Sequence, residues 1–434
     1  MTLATKVLIA MSVGIIVGLG LNFSNLTENA WVDQNIINGV FHVGGKLFVN
    51  ALKMLIVPLV LLSLIPGILG IGDIRLLGKI GSKAFLLYLA TTAIAITTAI
   101  TFAALSGIGT GLEIELKDAF TGREASKSFV EIIIGIIPSN IFAAMHNSET
   151  LSIIFLSVFF GIALLIEAKQ SKELINLIEQ LNRIIMRMIN LIMAFAPYAV
   201  FCLVSKAIAE LGIDLVKEIS GYFIVIMGVL IFHALVTQMV ILKLFTGLNI
   251  KLFLQKIRNA QLFAFSTSSS AATIPITLRT TQQRLGVDGA VSSFTVPLGA
   301  TINMDGTAMM QGVATVFIAN LYGIDLSLSQ YITVIITAVL ASIGTAAVPG
   351  VGLVMLSLVF NQVGLPIEAI GYILGIDRVI DMTRTAVNVT GDTVVSTIVA
   401  KSENRLDISI FNDPEAGSIE ETKINKELPS NTDK

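Results

Sequence analysis

The sequence predicts an all-α integral membrane protein in which two re-entrant hairpins form an inverted repeat, and three observations predict it. Of the 434 residues, 54% are hydrophobic and only 13% charged, roughly half the charged fraction of ordinary soluble domains. Apolar stretches near 6–23, 36–70, 84–107, 128–168, 183–211 and 217–245 reach the length of roughly 20 residues that a bilayer-crossing helix needs. Two further segments, AQLFAFSTSSSAATIPI (260–276) and ITAVLASIGTAAVPGVGLVMLSLVF (336–360), set a small, polar centre between apolar arms. A net charge of −2 leaves no basic excess for nucleic acid. The single cysteine, Cys202, excludes an intramolecular disulfide and a cysteine-built metal site.

The first apolar run, VLIAMSVGIIVGLGLN from Val7, starts behind Lys6 and is followed by no small-x-small cleavage site. It reads as a retained first spanning helix. The second stretch is longer than one perpendicular crossing and is expected to tilt or to extend beyond the bilayer. The fourth contains Pro138, Asn140, His146 and Asn147 and is expected to break. Short loops rich in Lys and Arg stay in the cytoplasm. They are marked by Arg75, Lys79 and Lys83, by Lys169, Lys172, Arg183 and Arg187, and by Lys243, Lys251, Lys256 and Arg258.

The segment 260–276 has Arg258 on one side and Arg279 and Arg284 on the other. Both flanks belong inside, so the segment dips in and returns. The segment 336–360 lacks basic flanks, so its hairpin enters from outside. An Asn-x-x-Gly step follows each, Asn303 to Gly306 and Asn388 to Gly391, and both are expected to break a helix. Inverted repeats with discontinuous helices at the midplane are the pattern of secondary transporters, because irregular backbone at that depth survives only where protein or water covers it. From Lys401 to Lys434 the chain has 5 basic and 8 acidic residues and little hydrophobicity. Residues 403–434 are expected to be a solvated, mobile tail.

The chemistry concentrates in IDRVIDMTRTAVNVTGD, 376–392. At about 100° per residue, Asp377, Asp381, Arg384, Thr385, Asn388 and Asp392 share an arc of roughly 100° on a helix. Each ionisable residue at the bilayer centre costs roughly 2.5–3.5 kcal/mol on insertion scales, so this stripe faces the bundle interior. A polar seam between helices is one reading, but a seam needs balanced partners. Three carboxylates meet one arginine here, with Arg378 pointing aside, and the surplus negative charge calls for cations. NMDGTAMMQG (303–312) offers Asn303 and Asp305 beside Gly306, and hard cations such as sodium prefer carboxylate, amide and carbonyl oxygens. The tip serines Ser268, Ser269 and Ser270 offer amides and hydroxyls to a carboxylate. His42, His146 and His233 lie outside every polar motif and are expected to pack or to bond at interfaces. No base therefore stands ready to activate a tip serine for hydrolysis. A passive channel is the other functional class. Trp31 and the many Phe and Met residues read as interface anchors and packing.

SSSAATIP (268–275), NMDGT (303–307), SIGTAAVPGVG (342–352) and DMTRTAVNVTGD (381–392), with Tyr88, Thr91 and Thr92, resemble the glutamate/aspartate transporter family, the dicarboxylate/amino acid:cation symporters. Within it the chain is similar to bacterial sodium-coupled acidic amino acid transporters. The resemblance implies a homotrimer in the cytoplasmic (inner) membrane, each protomer having eight transmembrane helices plus two re-entrant hairpins and both termini cytoplasmic. Within a membrane domain 1–402, a scaffold of approximately 1–70 and 128–211 would carry a transport core of approximately 84–107 and 217–400 in an elevator-type stroke. The implied activity is import of L-aspartate or L-glutamate with sodium. The alternatives are a proton-coupled glutamate/aspartate or C4-dicarboxylate symporter and an amino acid-gated ion channel. No catalytic residue is implied.

By similarity, Asp381 takes the substrate's amino group, Arg384 its side-chain carboxylate with Thr385 and Thr307, and Asn388 its backbone carboxylate with the Ser269 and Ser270 tip. Val348 and Gly352 of the outer hairpin complete the site, and Asp377 orients Arg384. One implied sodium site uses Gly299, Asn303, Asn388 and Asp392. A second uses Thr301, Ser342, Ile343 and Thr345, and a third Tyr88, Thr91, Thr92, Asn303 and Asp305, with Met304 between sites. Closure of the outer hairpin over cation and substrate together would couple them. Ser268 stands where archaeal members carry arginine, and Ala347 and Val351 make the outer tip less glycine-rich than theirs. Gln311 stands where animal members place a proton-carrying glutamate, which favours sodium without proton cotransport. Chemically, a planar guanidinium grips a carboxylate bidentately, and a plain dicarboxylate has no ammonium for Asp381 to meet.

Overall fold

A computed structural model describes residues 3–69, 79–112, 134–147, 149–343 and 350–417. Every regular element among these residues is helical, and the one β interaction is an isolated antiparallel bridge between Val287 and Leu406. Helix α1 (Leu3–Phe23) packs along α7 (Ala196–Phe232). A Cβ on Gly18 would stand 2.8 Å from Ile208 Cβ and 2.9 Å from the Ser205 carbonyl oxygen, so glycine permits the close helix approach typical of membrane bundles.

A π-helical segment, Asp33–Phe41, leads into α2 (His42–Leu69), which carries Pro58 and Pro66, and α3 (Lys79–Ser106) follows. The fourth apolar stretch is broken as expected. Its pieces include α4 (Ile141–His146), started by Asn140 Oδ1 accepting from the amides of Phe142 and Ala143, and α5 (Thr150–Ile166). Helix α6 (Lys172–Ala194) is amphipathic and buries Ile178, Ile185 and Ile189. Helix α7 kinks at Gly212, whose φ of 69° a side chain would oppose, and then passes through a π-helical turn, His233–Thr237, into α8 (Gln238–Thr246).

The inner hairpin is α9 (Ile250–Thr267) and α10 (Ser270–Arg279). Ser268, at φ 52°, ends α9 in the left-handed conformation, and the Ser269 hydroxyl accepts from the Ala272 amide to start α10. Helices α11 (Gly289–Ile302) and α12 (Asp305–Leu321) are separated at Asn303 and Met304, as the first Asn-x-x-Gly step predicts. The outer hairpin arms are α13 (Leu328–Ser342) and α14 (Val351–Val363). After α15 (Ile370–Leu374), α16 (Asp377–Ser402) runs unbroken through Asn388 and Gly391, against expectation. The reason is that Gly391 serves contact: a Cβ there would meet Asn303 Nδ2 at 2.5 Å.

Among the described residues, three helical runs are long and apolar enough to cross a membrane: Thr5–Phe23, Lys79–Ser106 and Ala196–Thr246. A pair bent by 41°, Ala30–Leu55 with Val57–Pro66, would make a fourth. The shorter or more polar helices of the core are surrounded by protein: α12 is buried almost throughout, and α16 buries its charged stripe. Residues 403–412, expected to be solvated, are largely exposed but anchored at a few points. Asp407 N donates to Gly286 O, Asp288 N donates to Arg405 O, and Phe411 of α17 (Ile408–Asn412) is fully buried. The buried Lys256 ammonium donates to the carbonyls of Arg284 (2.6 Å) and Ile410 (2.7 Å), tying this segment to the inner hairpin. Residues 418–434 lie outside the described residues.

Candidate functional site

Helix α16 turns the predicted stripe inward, and its charges pair first with one another. Arg384 Nε and Nη2 reach Asp381 Oδ1 at 2.9 and 2.8 Å, and Nη1 donates to Asp377 Oδ1 at 3.2 Å. Gly352 makes room for this guanidinium, and Gly306 for the α16 backbone that carries it. A Cβ on Gly352 of α14 would lie 2.5 Å from Arg384 Nη2, and one on Gly306 of α12 would lie 2.7 Å from the Arg384 carbonyl oxygen. Arg378 does not point aside. Its Nη1 stands 3.4 Å from Asp381 Oδ2, because residues three apart are neighbours on a helix surface. At this end of the stripe two carboxylates therefore face two guanidiniums, and the surplus negative charge sits further along, at Asp392 and Asp305.

Thr385 Oγ1 donates to its own helix at Asp381 O, and Thr307 Oγ1 lies 3.9 Å from Met304 Sδ. Both hairpin arms α9 and α10 pack on α16, with Gln261 Nε2 donating to Thr390 Oγ1 at 2.9 Å. The tip serines Ser268, Ser269 and Ser270 are buried, and the Ser268 hydroxyl finds no partner. Val348 lies outside the described residues.

One predicted cation set converges closely. Asn303 Nδ2 donates to Asp392 Oδ1 (2.8 Å) and Asn388 O (2.9 Å), and Asn388 Oδ1 accepts from Gly306 N (2.8 Å). Asn388 Nδ2 lies 3.4 Å from Met304 Sδ. Gly299 faces Asp392 and Tyr88, and a Cβ there would meet the Tyr88 hydroxyl at 2.6 Å. Asn303 Oδ1 is buried with no hydrogen-bond partner. A bare acceptor amid buried carboxylates suits a hard cation and costs free energy without one.

In the third set, Asp305 Oδ1 accepts from Thr92 Oγ1 (2.7 Å) and lies 3.4 Å from Thr91 Oγ1. The Tyr88 hydroxyl donates elsewhere, to Thr295 O, while the Tyr88 carbonyl accepts from Thr91. The second set is described only in part. Thr301 Oγ1 and Ser342 Oγ donate to their own helices at Leu298 O and Val339 O, Ile343 closes α13, and Thr345 lies outside the described residues. Among the described residues no cluster of three or more His, Cys, Asp or Glu side chains could hold a metal ion; the groups these sets bring together are carboxylate, amide, hydroxyl and carbonyl oxygens.

The sequence reading missed two residues. His233 Nε2 and Gln238 Nε2 lie 3.2 and 3.3 Å from Asp305 Oδ2. His233, expected to pack or to bond at an interface, is fully buried against a candidate cation ligand.

An all-helical chain with membrane-crossing helices, paired hairpins and a buried row of charges facing a broken helix defines a membrane transporter. The chain belongs to the sodium:dicarboxylate symporter family, whose profile matches residues 3–402. It is 32% identical over 417 residues to the proton/glutamate-aspartate symporter of Escherichia coli K12, covering 94% of each chain. It is 32% identical over 411 residues to the proton/sodium-glutamate symport protein of Geobacillus stearothermophilus, covering 93% of this chain and 95% of the relative. The C4-dicarboxylate transport protein of Bacillus subtilis is 29% identical over 433 residues, covering 98% of each. The chain is a transporter of the membrane, not an enzyme.

Proposed function

We propose that this chain is a secondary active symporter that imports L-aspartate or L-glutamate across the cytoplasmic membrane together with sodium ions. One observation carries the substrate: the buried Arg384 guanidinium is held by Asp381 and Asp377. An acidic amino acid can exchange itself into this arrangement without leaving a charge unpaired. Its side-chain carboxylate takes Arg384, helped by Thr385 and Thr307, and its ammonium takes the freed Asp381. Its backbone carboxylate meets Asn388 and the amides and hydroxyls of Ser269 and Ser270. Gly352 keeps the guanidinium against the outer hairpin, whose Val348 closes over the substrate, and Asp377 holds Arg384 in orientation. A C4-dicarboxylate would satisfy Arg384 but would bring a second negative charge to Asp381.

Sodium, as co-transported cargo, would be held by Asp392, Asn303, Asn388 and Gly299, by Asp305 with Thr91, Thr92, Tyr88 and Asn303, and by Thr301, Ser342, Ile343 and Thr345, with Met304 between. The bare Asn303 Oδ1 supports this reading. So does Gln311, a buried amide that carries no transferable proton. Closure of the outer hairpin over substrate and cation would couple them. We infer a homotrimer in which a scaffold of approximately 1–70 and 128–211 carries a core of approximately 84–107 and 217–400 in an elevator-type stroke, with both termini cytoplasmic. Competition in proteoliposomes tests the substrate assignment. Labelled L-aspartate uptake should be displaced by L-glutamate and not by succinate. Equal displacement by succinate would move the chain to the C4-dicarboxylate branch.

A further inference from the structure

Asp305 is held from behind by a helical irregularity. Helix α7 gives way at His233 to the π-helical turn His233–Thr237, and α8 resumes at Gln238. In a regular α-helix, residues five apart stand roughly 140° apart around the axis at about 100° each, too far to reach one atom. A π turn closes from residue i to i+5 and is concentrated at functional sites. It brings the fifth residue closer to the face of the first than an α-helix does. Here it sets His233 Nε2 at 3.2 Å and Gln238 Nε2 at 3.3 Å from the same oxygen, Asp305 Oδ2.

Both side chains are fully buried. In the Nε2–H tautomer the imidazole donates to Asp305 Oδ2, and its Nδ1 is then an acceptor. His233 Nδ1 and Gln238 Oε1 are both buried without a partner. A histidine kept for packing would have both nitrogens satisfied or be replaced by an apolar side chain, since bare acceptors in a core are costly. Both side chains engage Asp305, and Gln238 Nε2 also donates to Val387 O of α16 at 3.3 Å.

We propose that His233 and Gln238 are positioning residues for the cation bound at Asp305. Two N–H donors fix Oδ2, and Oδ1, shared with Thr92 and Thr91, is left to face the cation. With Oδ2 so occupied, one oxygen of Asp305 is left for the cation. This inference rests on the sodium-coupled reading above.

The test measures three quantities on purified protein: the sodium concentration for half-maximal thermal protection, the sodium half-saturation of aspartate uptake, and the aspartate half-saturation at saturating sodium. His233→Leu and Gln238→Leu should each raise both sodium values by about tenfold or more, the usual effect of removing a group that orients a metal ligand. The aspartate value should be unchanged. His233→Gln, which keeps an amide donor near the same place, should restore most of the sodium affinity. Gln238→Leu carries the test by itself if His233→Leu does not fold. Unchanged sodium values in the leucine variants, or a His233→Gln variant as impaired as His233→Leu, would overturn the positioning role. No sodium protection of the unaltered protein would overturn the sodium reading and this inference with it, a failure distinguishable from the other two.

Discussion

Replacing Arg384 with glutamine removes the group on which substrate choice rests. The side chain is 3% exposed and makes contacts of 2.8 Å to Asp381 and 3.2 Å to Asp377. Breaking a buried ion pair by removing one partner costs about 3–5 kcal/mol. Arg378, 3.4 Å from Asp381 Oδ2, offsets part of that loss at Asp381 but not at Asp377, so the lower end of the range applies to folding. Substrate binding loses a charge-assisted, bidentate grip of similar size. At 1.4 kcal/mol per factor of ten, the aspartate affinity should fall by roughly 10²-fold or more. The assay is uptake of labelled L-aspartate by proteoliposomes, with monodispersity of the purified variant as the check on folding. Neutral amino acids such as L-serine should compete better against the residual activity than they do in the unaltered protein. Unchanged aspartate affinity in a folded Arg384→Gln variant would refute the role given to Arg384.

Gly352→Ala would place a Cβ 2.5 Å from Arg384 Nη2, so the guanidinium must shift. Aspartate half-saturation should rise about tenfold with little loss of sodium-dependent thermal protection, read by titrating each ligand separately. Glu368, in the turn before α15, accepts from Lys46 and Lys53 of α2 at 2.8 and 2.9 Å. Burial pushes its carboxyl up, but hydrogen bonds from Lys46 and then Lys53 outweigh this and hold it at about 2. A depressed carboxylate stabilises the fold above its unfolded value near 4.5 and loses that contribution as pH falls from there toward about 2. Glu368→Gln should therefore lower thermal stability at pH 7 and much less at pH 2.5. The side chain is 40% exposed, so the difference should be about 1 kcal/mol or less. Deleting residues 403 onward would uncover the partners of Phe411 and strip the Ile410 carbonyl from Lys256. The melting temperature should fall by several degrees, since a buried aromatic contributes about 1.5–3 kcal/mol, and calorimetry reads it.

The charged stripe of α16 was legible because charges spaced by three and four residues share one helical face whatever surrounds them. The hairpins were legible from basic flanks and small polar centres. Four features were not. The period of α16 places Arg378 beside the stripe, yet a long side chain three residues before Asp381 reaches it. Gly391 reads as a helix breaker by the same Asn-x-x-Gly grammar as Gly306, and only the packed structure shows that it makes room for Asn303. His233 and Gln238 stand on different faces of any regular helix, so the π turn that unites them on Asp305 leaves no mark in the period. The 403–412 segment has tail-like composition, and the burial of Phe411 depends on a surface distant in the sequence, around Lys256 and Gly286.

The central claim is coupled transport of an acidic amino acid with sodium. It is tested most directly by labelled L-aspartate uptake into proteoliposomes of the purified protein, comparing an inward sodium gradient with an inward proton gradient of equal size. The account predicts accumulation above equilibrium under the sodium gradient and none under the proton gradient alone. Accumulation driven by protons alone would contradict it.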